Sequence, residues 1–521
     1  MAPLRRARDG IAAAAIAWLR APGAAAGPGP PGLGECAARF VPPAAPLAAT
    51  DLNGVRVPDA CFMDPGEHHV YIVGDWGGVS AAPGAPPVPA DHRAPEFKAH
   101  HREFVSGVDD CAQQRVAEQM RRRAAQSQPD YVLNVGDNFY WGGIAGECGM
   151  PVFEHVGTGQ WATVFEEVYT GPGLDGKQWL GVLGNHDYGG YVFTGAWDQV
   201  ISYTWYPPDG PGSTGRWLTP AQYWRTKAWY ADFSVHTSFW TPTSSTPRPQ
   251  TSTSRHNLCS AEHNAQNASC GPEGPASVED CPAWFGRLWA GQMAWLDQHL
   301  GNSAADWQVV VTHYPPIWGR DDWSYLAAKH GIDLIASGHI HKQELHHLGN
   351  NFLKPTAYLI TGGGGGITSE GPPTRTGHDD QYGFVDVTLS RTVLRIEMVS
   401  HGGQLRRSAN VTQRHPENPL RLPGARAAAQ CLAINAIVEP YPSWLKPFFD
   451  IPLERMKFSG PLAASVAAAA ADFAAACDAA DGEDSSSLLA TRSLPMSFAQ
   501  AQQNVSERGK GCKCSSSCNK P

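Results

Sequence analysis

A short apolar segment that ends abruptly in glycine and aspartate is the feature that most constrains this chain. Residues 131–135 have the pattern of a buried strand, and Gly136 and Asp137 follow directly. Glycine allows the backbone to turn close to another group at the end of a strand. Because open α/β sheets bind ligands at the carboxyl ends of their strands, Asp137 and the nearby Tyr140 are candidates for a functional site.

Four more apolar segments end in the same way. They are residues 69–73 before Gly74-Asp75, 179–183 before Gly184-Asn185-His186, 307–312 before His313, and 332–336 before Gly338-His339-Ile340-His341. Each places oxygen or nitrogen ligands directly after a predicted strand. Such donors suit iron, zinc and manganese, so the pattern predicts a metal site at one edge of a sheet.

Taken together, these blocks have a family resemblance. The ordered set GDWG, GDNFY, GNHD, THYP and GHIH, within residues 55–400, resembles the calcineurin-like metallophosphoesterases. Tyr140 in the second block is similar to the purple acid phosphatases of that group. The neighbours of Asp75, Asp137 and His313 resemble the small, tartrate-resistant type.

The resemblance implies both a fold and an activity. The expected fold is α/β (α+β), a four-layer metallophosphoesterase β-sandwich of two mixed sheets flanked by helices. The expected activity is that of an acid phosphatase, which hydrolyses phosphate monoesters at a binuclear metal centre with a metal-bound hydroxide attacking phosphorus in line. A phosphodiesterase or pyrophosphatase would use nearly the same residues. A non-catalytic secreted metal-binding or interaction protein, and a redox role for the metals, are the alternatives from other classes.

The resemblance also assigns roles to individual residues. Fe(3+) is expected on Asp75, Tyr140 and His341; Fe(2+), Zn(2+) or Mn(2+) is expected on Asn185, His313 and His339; Asp137 is expected to bridge the two ions. His339 and His341 are two positions apart, so in an extended segment they point to the same side. His186 is expected to donate a proton to the leaving oxygen or to orient the phosphate, rather than to bind metal.

The chain departs from the tartrate-resistant pattern at one point. That type has a second non-ligand histidine shortly after the block at His313, whereas this chain has Trp318-Gly319-Arg320 there. A guanidinium matches the geometry of phosphate, so Arg320 is a candidate substrate contact. A surface position for Arg320 is the equal alternative.

Charge and hydropathy narrow the range of partners. The 521 residues include 40 basic and 49 acidic ones, a formal net charge of -9. This balance argues against nucleic acid, which favours a basic patch. No apolar run reaches the length of a transmembrane helix. The expected partners are therefore small phosphorylated substrates, and the oligomeric state is left open.

The beginning of the chain and its cysteines favour the secretory route. Three arginines precede an apolar stretch at 11–19 and small residues at 24–26, which together predict a signal peptide over 1–30. Secretion or a vacuolar location follows, with an organellar transit peptide as the alternative. The 12 cysteines predict disulfides without specifying their pairing, and glycosylation sequons begin at Asn267, Asn410 and Asn504.

The predicted organisation is a large catalytic domain with appendages. A Pro/Ala-rich lead-in covers 31–54, the catalytic domain covers 55–400 with a cysteine-containing insertion at 252–282, and an uncharacterised extension with a Cys-rich tail covers 401–521. Helices are predicted over 97–126, 161–170, 284–300 and 323–330. A single strand is predicted within 223–233, one at 357–361, and a hairpin at 384–389 and 393–399.

Overall fold

A computed structural model describes residues 36–77, 102–151, 159–207, 213–241, 257–349 and 351–413. These belong to a compact unit that ends at His415. The predicted signal peptide, the start of the insertion, the third sequon and nearly all of the 401–521 extension lie outside the described residues.

Two mixed β-sheets form the core of the described unit. The first has the strand order β1 (Val55–Arg56), β7 (Tyr223–Tyr230), β8 (Ser234–Trp240), β9 (Trp307–Thr312), β10 (Leu334–Ser337), β12 (Ala357–Thr361), β11 (Gln343–His346), with β2 (Ala60–Phe62) also paired to β7. The second has the order β15 (Leu405–Thr412), β14 (Val393–Ser400), β13 (Gly383–Leu389), β3 (His68–Val73), β4 (Tyr131–Asn134), β5 (Gln178–Gly181), β6 (Trp217–Leu218).

Apolar side chains from both sheets interdigitate between them. Ile72 and Leu133 of the second sheet share one buried cluster with Val309, Val311 and Leu359 of the first. This arrangement follows from strands that are apolar on both faces and must be covered twice.

Helices cover the two outer faces. Four α-helices are described: α1 (Ala112–Ser127), α2 (Trp197–Ser202), α3 (Cys281–Gly301) and α4 (Arg320–His330). Val116 of α1 packs with Tyr71 on the second sheet. Leu296 of α3 and Leu326 of α4 pack with Val310 on the first sheet. The result is the predicted four-layer sandwich, and the fold prediction is confirmed.

The central strands of each sheet are parallel, and this positions the functional loops. Val73, Asn134 and Gly181 are neighbours across β3, β4 and β5. Val311 and Ala336 are neighbours across β9 and β10. Five loops therefore leave the two sheets at their carboxyl ends.

Several predicted boundaries differ from the structure. The helix predicted over 97–126 begins only at Ala112, after a series of turns, and residues 97–101 are outside the described part. The strand predicted within 223–233 is the first half of the hairpin β7–β8. The helix predicted over 161–170 is a single turn of π-helix, Trp161–Glu166. The sheet also continues past residue 400, since β15 pairs with β14.

Three disulfides are present in the described unit. Cys36–Cys61 ties the lead-in to β2, Cys259–Cys281 closes the described part of the insertion, and Cys148–Cys270 joins the insertion to the loop after β4. Cys111 is half-buried and forms no disulfide with another cysteine of the described unit. Among the helices of the described ranges, none combines the length and apolar character needed to cross a membrane.

Candidate metal centre

The strand-end residues singled out in the sequence converge on one small, buried volume. Asp75 follows β3, Asp137 follows β4, Asn185 follows β5, His313 follows β9, and His339 follows β10. Asp75, Asp137 and His313 are fully buried, and Asn185 is 5% exposed. The parallel strands thus bring together side chains that are up to 264 positions apart.

One half of the cluster contains two imidazoles and an amide. His339 Nδ1 lies 2.7 Å from Asn185 Oδ1 and 3.2 Å from His313 Nε2. His313 Nε2 lies 3.1 Å from Asn185 Oδ1 and 3.3 Å from Asp137 Oδ2. Atoms of Asp137, His313 and His339 lie within 4.8 Å of one another, a grouping that could hold a metal ion.

The other half is centred on a phenol. Tyr140 Oη donates to Asp75 Oδ1 at 3.1 Å and to Asp137 Oδ2 at 3.0 Å. It is also 3.4 Å from His341 Nε2, which lies 3.6 Å from Asp75 Oδ1. Asp137 is the residue common to both halves.

The orientation of the donor atoms in the cluster fits a metal ion. His313 Nδ1 donates to the Val135 carbonyl at 2.9 Å, so Nε2 is the nitrogen that faces Asp137 and Asn185. Those partners present oxygen acceptors. The amide nitrogen of Asn185, by contrast, is buried with no hydrogen-bond partner among the described residues. Converging acceptor atoms require positive charge between them, and a metal ion with its ligands oriented by backbone carbonyls fits that requirement.

The electrostatic environment of His313 also favours a positive ion in the cluster. Burial disfavours its charged form, but the nearby Asp137 carboxylate outweighs burial and raises the pKa of His313 to about 9. His339 behaves oppositely, because burial and the neighbouring His313 lower its pKa well below the usual range. The cluster therefore attracts a positive charge near His313 and keeps His339 neutral, as a ligand must be.

Three of the candidate ligands have an unusual backbone conformation. Asp75, Asp137 and His339 have φ angles of 57°, 52° and 67°. Left-handed conformations are uncommon in residues other than glycine and concentrate at functional sites. Hydrogen bonds hold them here, since His339 N–H donates to Asp75 at 3.0 Å and His186 N–H donates to Asp137 at 2.8 Å. His339 and His341 do both face the cluster, although their segment is a bend and not extended as predicted.

His186 lies beside the cluster. Its Nδ1 donates to the Trp141 carbonyl at 2.6 Å, and its ring centroid is 4.4 Å from that of Tyr140. Burial lowers the pKa of His186. The ring is thus held in one orientation next to the phenol.

Comparison with known proteins identifies the family. A family model described as calcineurin-like phosphoesterase matches residues 68–343, more than half of the chain. The chain belongs to the calcineurin-like phosphoesterase family. Membership implies a pair of metal ions, in agreement with the two halves of the cluster.

Individual relatives of this phosphoesterase are acid phosphatases. It is 24% identical over 302 residues to "Tartrate-resistant acid phosphatase type 5" of Oryctolagus cuniculus, covering 56% of this chain and 71% of that one. It is 44% identical over 77 residues to "Purple acid phosphatase 7" of Arabidopsis thaliana, covering 15% of this chain and 20% of that one. The resemblance to tartrate-resistant and purple acid phosphatases is thereby confirmed.

Similar solved structures include a purple acid phosphatase from yellow lupin (Lupinus luteus) seeds. It has a TM-score of 0.38 and 16% identity, and the match covers 68% of the phosphoesterase chain and 55% of the lupin chain.

A network of buried hydrogen bonds connects the loops that carry the candidate ligands of the phosphoesterase. The sequence analysis did not predict this network. Trp76 Nε1 donates to Asn134 Oδ1 at 2.9 Å, and the Asn134 amide donates to Asn138. Asn138 Nδ2 in turn donates to Asp187 at 2.9 Å, and Asp187 accepts the Gly184 N–H at 2.7 Å. Trp76, Asn138 and Asp187 are each within two positions of a candidate ligand. Their places inside the GDWG, GDNFY and GNHD blocks were the available signal.

The structure does not bring Arg320 into the cluster of the phosphoesterase. Arg320 is the first residue of α4, and its guanidinium lies 4.6 Å from the ring centroid of Phe352. This exposed position favours the surface interpretation. Trp318, which is 47% exposed, is closer, because its ring centroid lies 4.7 Å from that of His339.

Proposed function

We propose that this phosphoesterase is an acid phosphatase that hydrolyses phosphate monoesters at a binuclear metal centre. The observation that supports it best is the position of Asp137 between two sets of donors. One set contains Tyr140 and the other contains His313 and Asn185. A shared carboxylate with a phenol on one side only is suited to two different ions.

The proposed ligands follow the two halves of the cluster. Fe(3+) would be held by Asp75, Tyr140 and His341, a divalent Fe, Zn or Mn ion would be held by Asn185, His313 and His339, and Asp137 would touch both. A phenolate favours a hard trivalent ion, whereas the neutral amide oxygen of Asn185 suits a divalent one. When bound, such a pair supplies positive charge for the phosphate and an activated nucleophile.

In this proposal His186 handles the proton of the leaving group. Nδ1–H of His186 donates to the carbonyl of Trp141, which orients the ring, so Nε2–H of the doubly protonated ring would be the proton donor to the leaving oxygen. Its backbone N–H anchors Asp137, which ties the proton donor to the bridging carboxylate. A positioned acid of this kind contributes a factor of about 10² to 10⁴ in rate.

We place the protein in the secretory route as part of this proposal. Its proposed substrates are small phosphorylated compounds, and no nucleic acid partner is proposed. The three disulfides of the described unit suit an oxidising compartment. Asn267 and Asn410, which begin two of the sequons, are exposed.

The test combines metal analysis with hydrolysis. Full-length protein should contain two metal ions per chain and hydrolyse p-nitrophenyl phosphate at acid pH faster than bis(p-nitrophenyl) phosphate. Asp137→Asn should lose metal and activity together, whereas Asp232→Asn, at an exposed turn, should change neither. Faster hydrolysis of the diester would move the proposal to a phosphodiesterase. A folded protein with neither metal nor hydrolysis would rule out the enzyme and favour a binding protein.

A further inference from the structure

The outer face of the first sheet carries a basic and polar group of side chains near its end opposite the metal centre. Arg225 and Lys227 alternate along β7 with residues that face the inter-sheet core. In the hairpin, Arg225 pairs with Ser238 and Lys227 pairs with His236. Because paired residues of adjacent strands project to the same side, all four lie on one face.

Three of these side chains have buried polar atoms without a partner. Arg225 Nε, His236 Nε2 and Ser238 Oγ form no hydrogen bond with any of the described residues. His236 is only 4% exposed and Ser238 is fully buried. An unsatisfied buried polar atom is costly, and each such atom in a folded protein calls for a specific explanation.

Three cationic side chains, Arg56, Arg225 and Lys227, lie near two carboxylates, Asp59 and Asp306, which balance part of their charge. The carboxylate of Asp59 is held by Arg56 at 2.7 Å and by Trp229 at 2.9 Å, and that of Asp306 accepts the Ser234 N–H at 2.8 Å. Lys227 Nζ lies over the Trp229 ring, 4.6 Å from its centroid.

The titration of the group reflects the remaining positive charge. Burial, followed by the charges of Arg225 and Lys227, lowers the pKa of His236 to about 3. Burial also lowers the pKa of Lys227. These positive or potentially positive groups repel one another, and a bound anion would relieve the repulsion.

We propose that Arg225, Lys227, His236 and Ser238 form a second binding site, here called the β7–β8 site, for a small tetrahedral oxyanion such as inorganic phosphate or sulfate. A guanidinium, an ammonium, an imidazole N–H and a hydroxyl are donors that such an anion accepts from several directions. The partnerless atoms are the ones the anion would satisfy.

The β7–β8 site is separate from the metal centre. His236 pairs with Gln308 at the start of β9, whereas His313 follows the end of that strand. Ser238 pairs with Val310, three positions before His313. At about 3.3 Å per residue, the β7–β8 site therefore lies roughly 10 Å from the metal centre at Ser238 and roughly 16 Å from it at His236, measured along the strand. The inference therefore does not depend on the proposed catalytic activity.

Thermal unfolding of the full-length protein tests the β7–β8 site. Sulfate and phosphate, compared with chloride at constant ionic strength, should raise the unfolding temperature. Arg225→Gln should weaken the apparent affinity for sulfate about tenfold or more, because a charge-assisted hydrogen bond is lost. Ser238→Ala should weaken it less, and Arg395→Gln, at a half-exposed arginine near Glu67, serves as the matched control.

Anion binding at the metal centre should raise the unfolding temperature equally in the wild type and the variants. Differences in unfolding temperature between them therefore measure binding at the β7–β8 site. Equal responses of the wild type and Arg225→Gln would overturn the proposal. If Arg225→Gln does not fold, wild-type crystals soaked in selenate decide the question by anomalous scattering. A selenium peak within hydrogen-bond distance of Arg225 and His236 supports the site, and water alone in that position refutes it.

Discussion

Asn138 donates two hydrogen bonds to Asp187, one from its backbone N–H at 3.0 Å and one from its side-chain amide at 2.9 Å. This pair joins the loop that carries Asp137 to the loop that carries Asn185. Both residues are completely buried, so water does not compete for these bonds. The separation of two proposed metal ligands is thereby set by residues that bind no metal themselves.

Asp187→Ala should destabilise the protein and loosen the metal centre. It leaves the buried donors Asn138 N and Gly184 N unpaired, and Asn138 Nδ2 keeps only its bond to the Val182 carbonyl. At about 1 to 3 kcal/mol for each unsatisfied group, a loss of roughly 3 kcal/mol or more in the free energy of unfolding is expected. Denaturant unfolding and metal analysis measure both effects. Asp187→Asn is the matched variant, since one oxygen can still accept from Gly184, and an equal loss in both variants would contradict this account.

His186→Ala should reduce turnover without removing metal. The expected decrease in kcat is about 10² to 10⁴, because a proton donor is lost while the proposed ligands stay in place. The decrease should be larger for an alkyl phosphate than for p-nitrophenyl phosphate, whose leaving group needs less protonation. His378→Gln, at an exposed histidine, should leave both rates unchanged. Equal decreases for the two substrates would argue that His186 only orients the phosphate.

Tyr140→Phe should abolish the visible absorption expected of a ferric phenolate. The substitution removes the hydroxyl that contacts Asp75 and Asp137 while keeping the ring. Iron content should fall more than the content of the divalent ion, whose proposed ligands are on the other side of Asp137. Tyr71→Phe, which removes a buried hydrogen bond to Ser127, provides a control that should retain the spectrum. A colourless, active wild type would instead indicate a phosphoesterase without ferric iron.

Glu344 should stabilise the fold at neutral pH and lose this effect in acid. Hydrogen bonds from His346 and Lys342 lower its pKa from 4.5 to about 2. An acid with a lowered pKa in the folded state contributes stability above its unfolded pKa. That contribution decreases as the pH falls from about 4.5 to about 2.

The measurable difference is modest because Glu344 is half-buried. Solvent screening limits it to about 1 kcal/mol. The free energy of unfolding of the wild type should exceed that of Glu344→Gln at pH 6. The two free energies should become similar near pH 2. Glu262→Gln, at an exposed position, should show no such convergence. A difference that is constant with pH would contradict the prediction.

The sequence predicted most central strands well, but it missed the central strand β8 and several edge strands. Residues 131–135 and 307–312 are apolar on both faces, so they match β4 and β9 closely. The strands β11 and β15 were missed because their residues are largely polar, half-buried in β11 and mostly exposed in β15. Such strands form by pairing with a neighbour, a tertiary effect that local pattern does not contain.

The candidate ligands could be identified from the sequence because most of them follow a buried strand. The residues that hold their loops in place could not be identified in this way. Asp187 belongs to the GNHD block and Asn134 lies in a strand, but neither position indicates a supporting role, which depends on their hydrogen-bond partners. The left-handed backbone conformation of His339 was also not predicted, because histidine has only a weak preference for this conformation. Arg320 was singled out for its chemistry alone, and α4 carries it to Phe352.

The Cys148–Cys270 disulfide adds a covalent link near the residue that orients His186. It joins segments 122 positions apart, and Cys148 belongs to the loop that begins with Trp141, whose carbonyl holds the ring of His186. The orientation of His186, the proposed proton donor, therefore depends on a segment that has a covalent link at Cys148. Under reducing conditions this segment would lose the covalent link and keep only its noncovalent contacts, such as the hydrogen bonds from Cys148 N–H to the Thr194 carbonyl and from Gly149 N–H to Asp198.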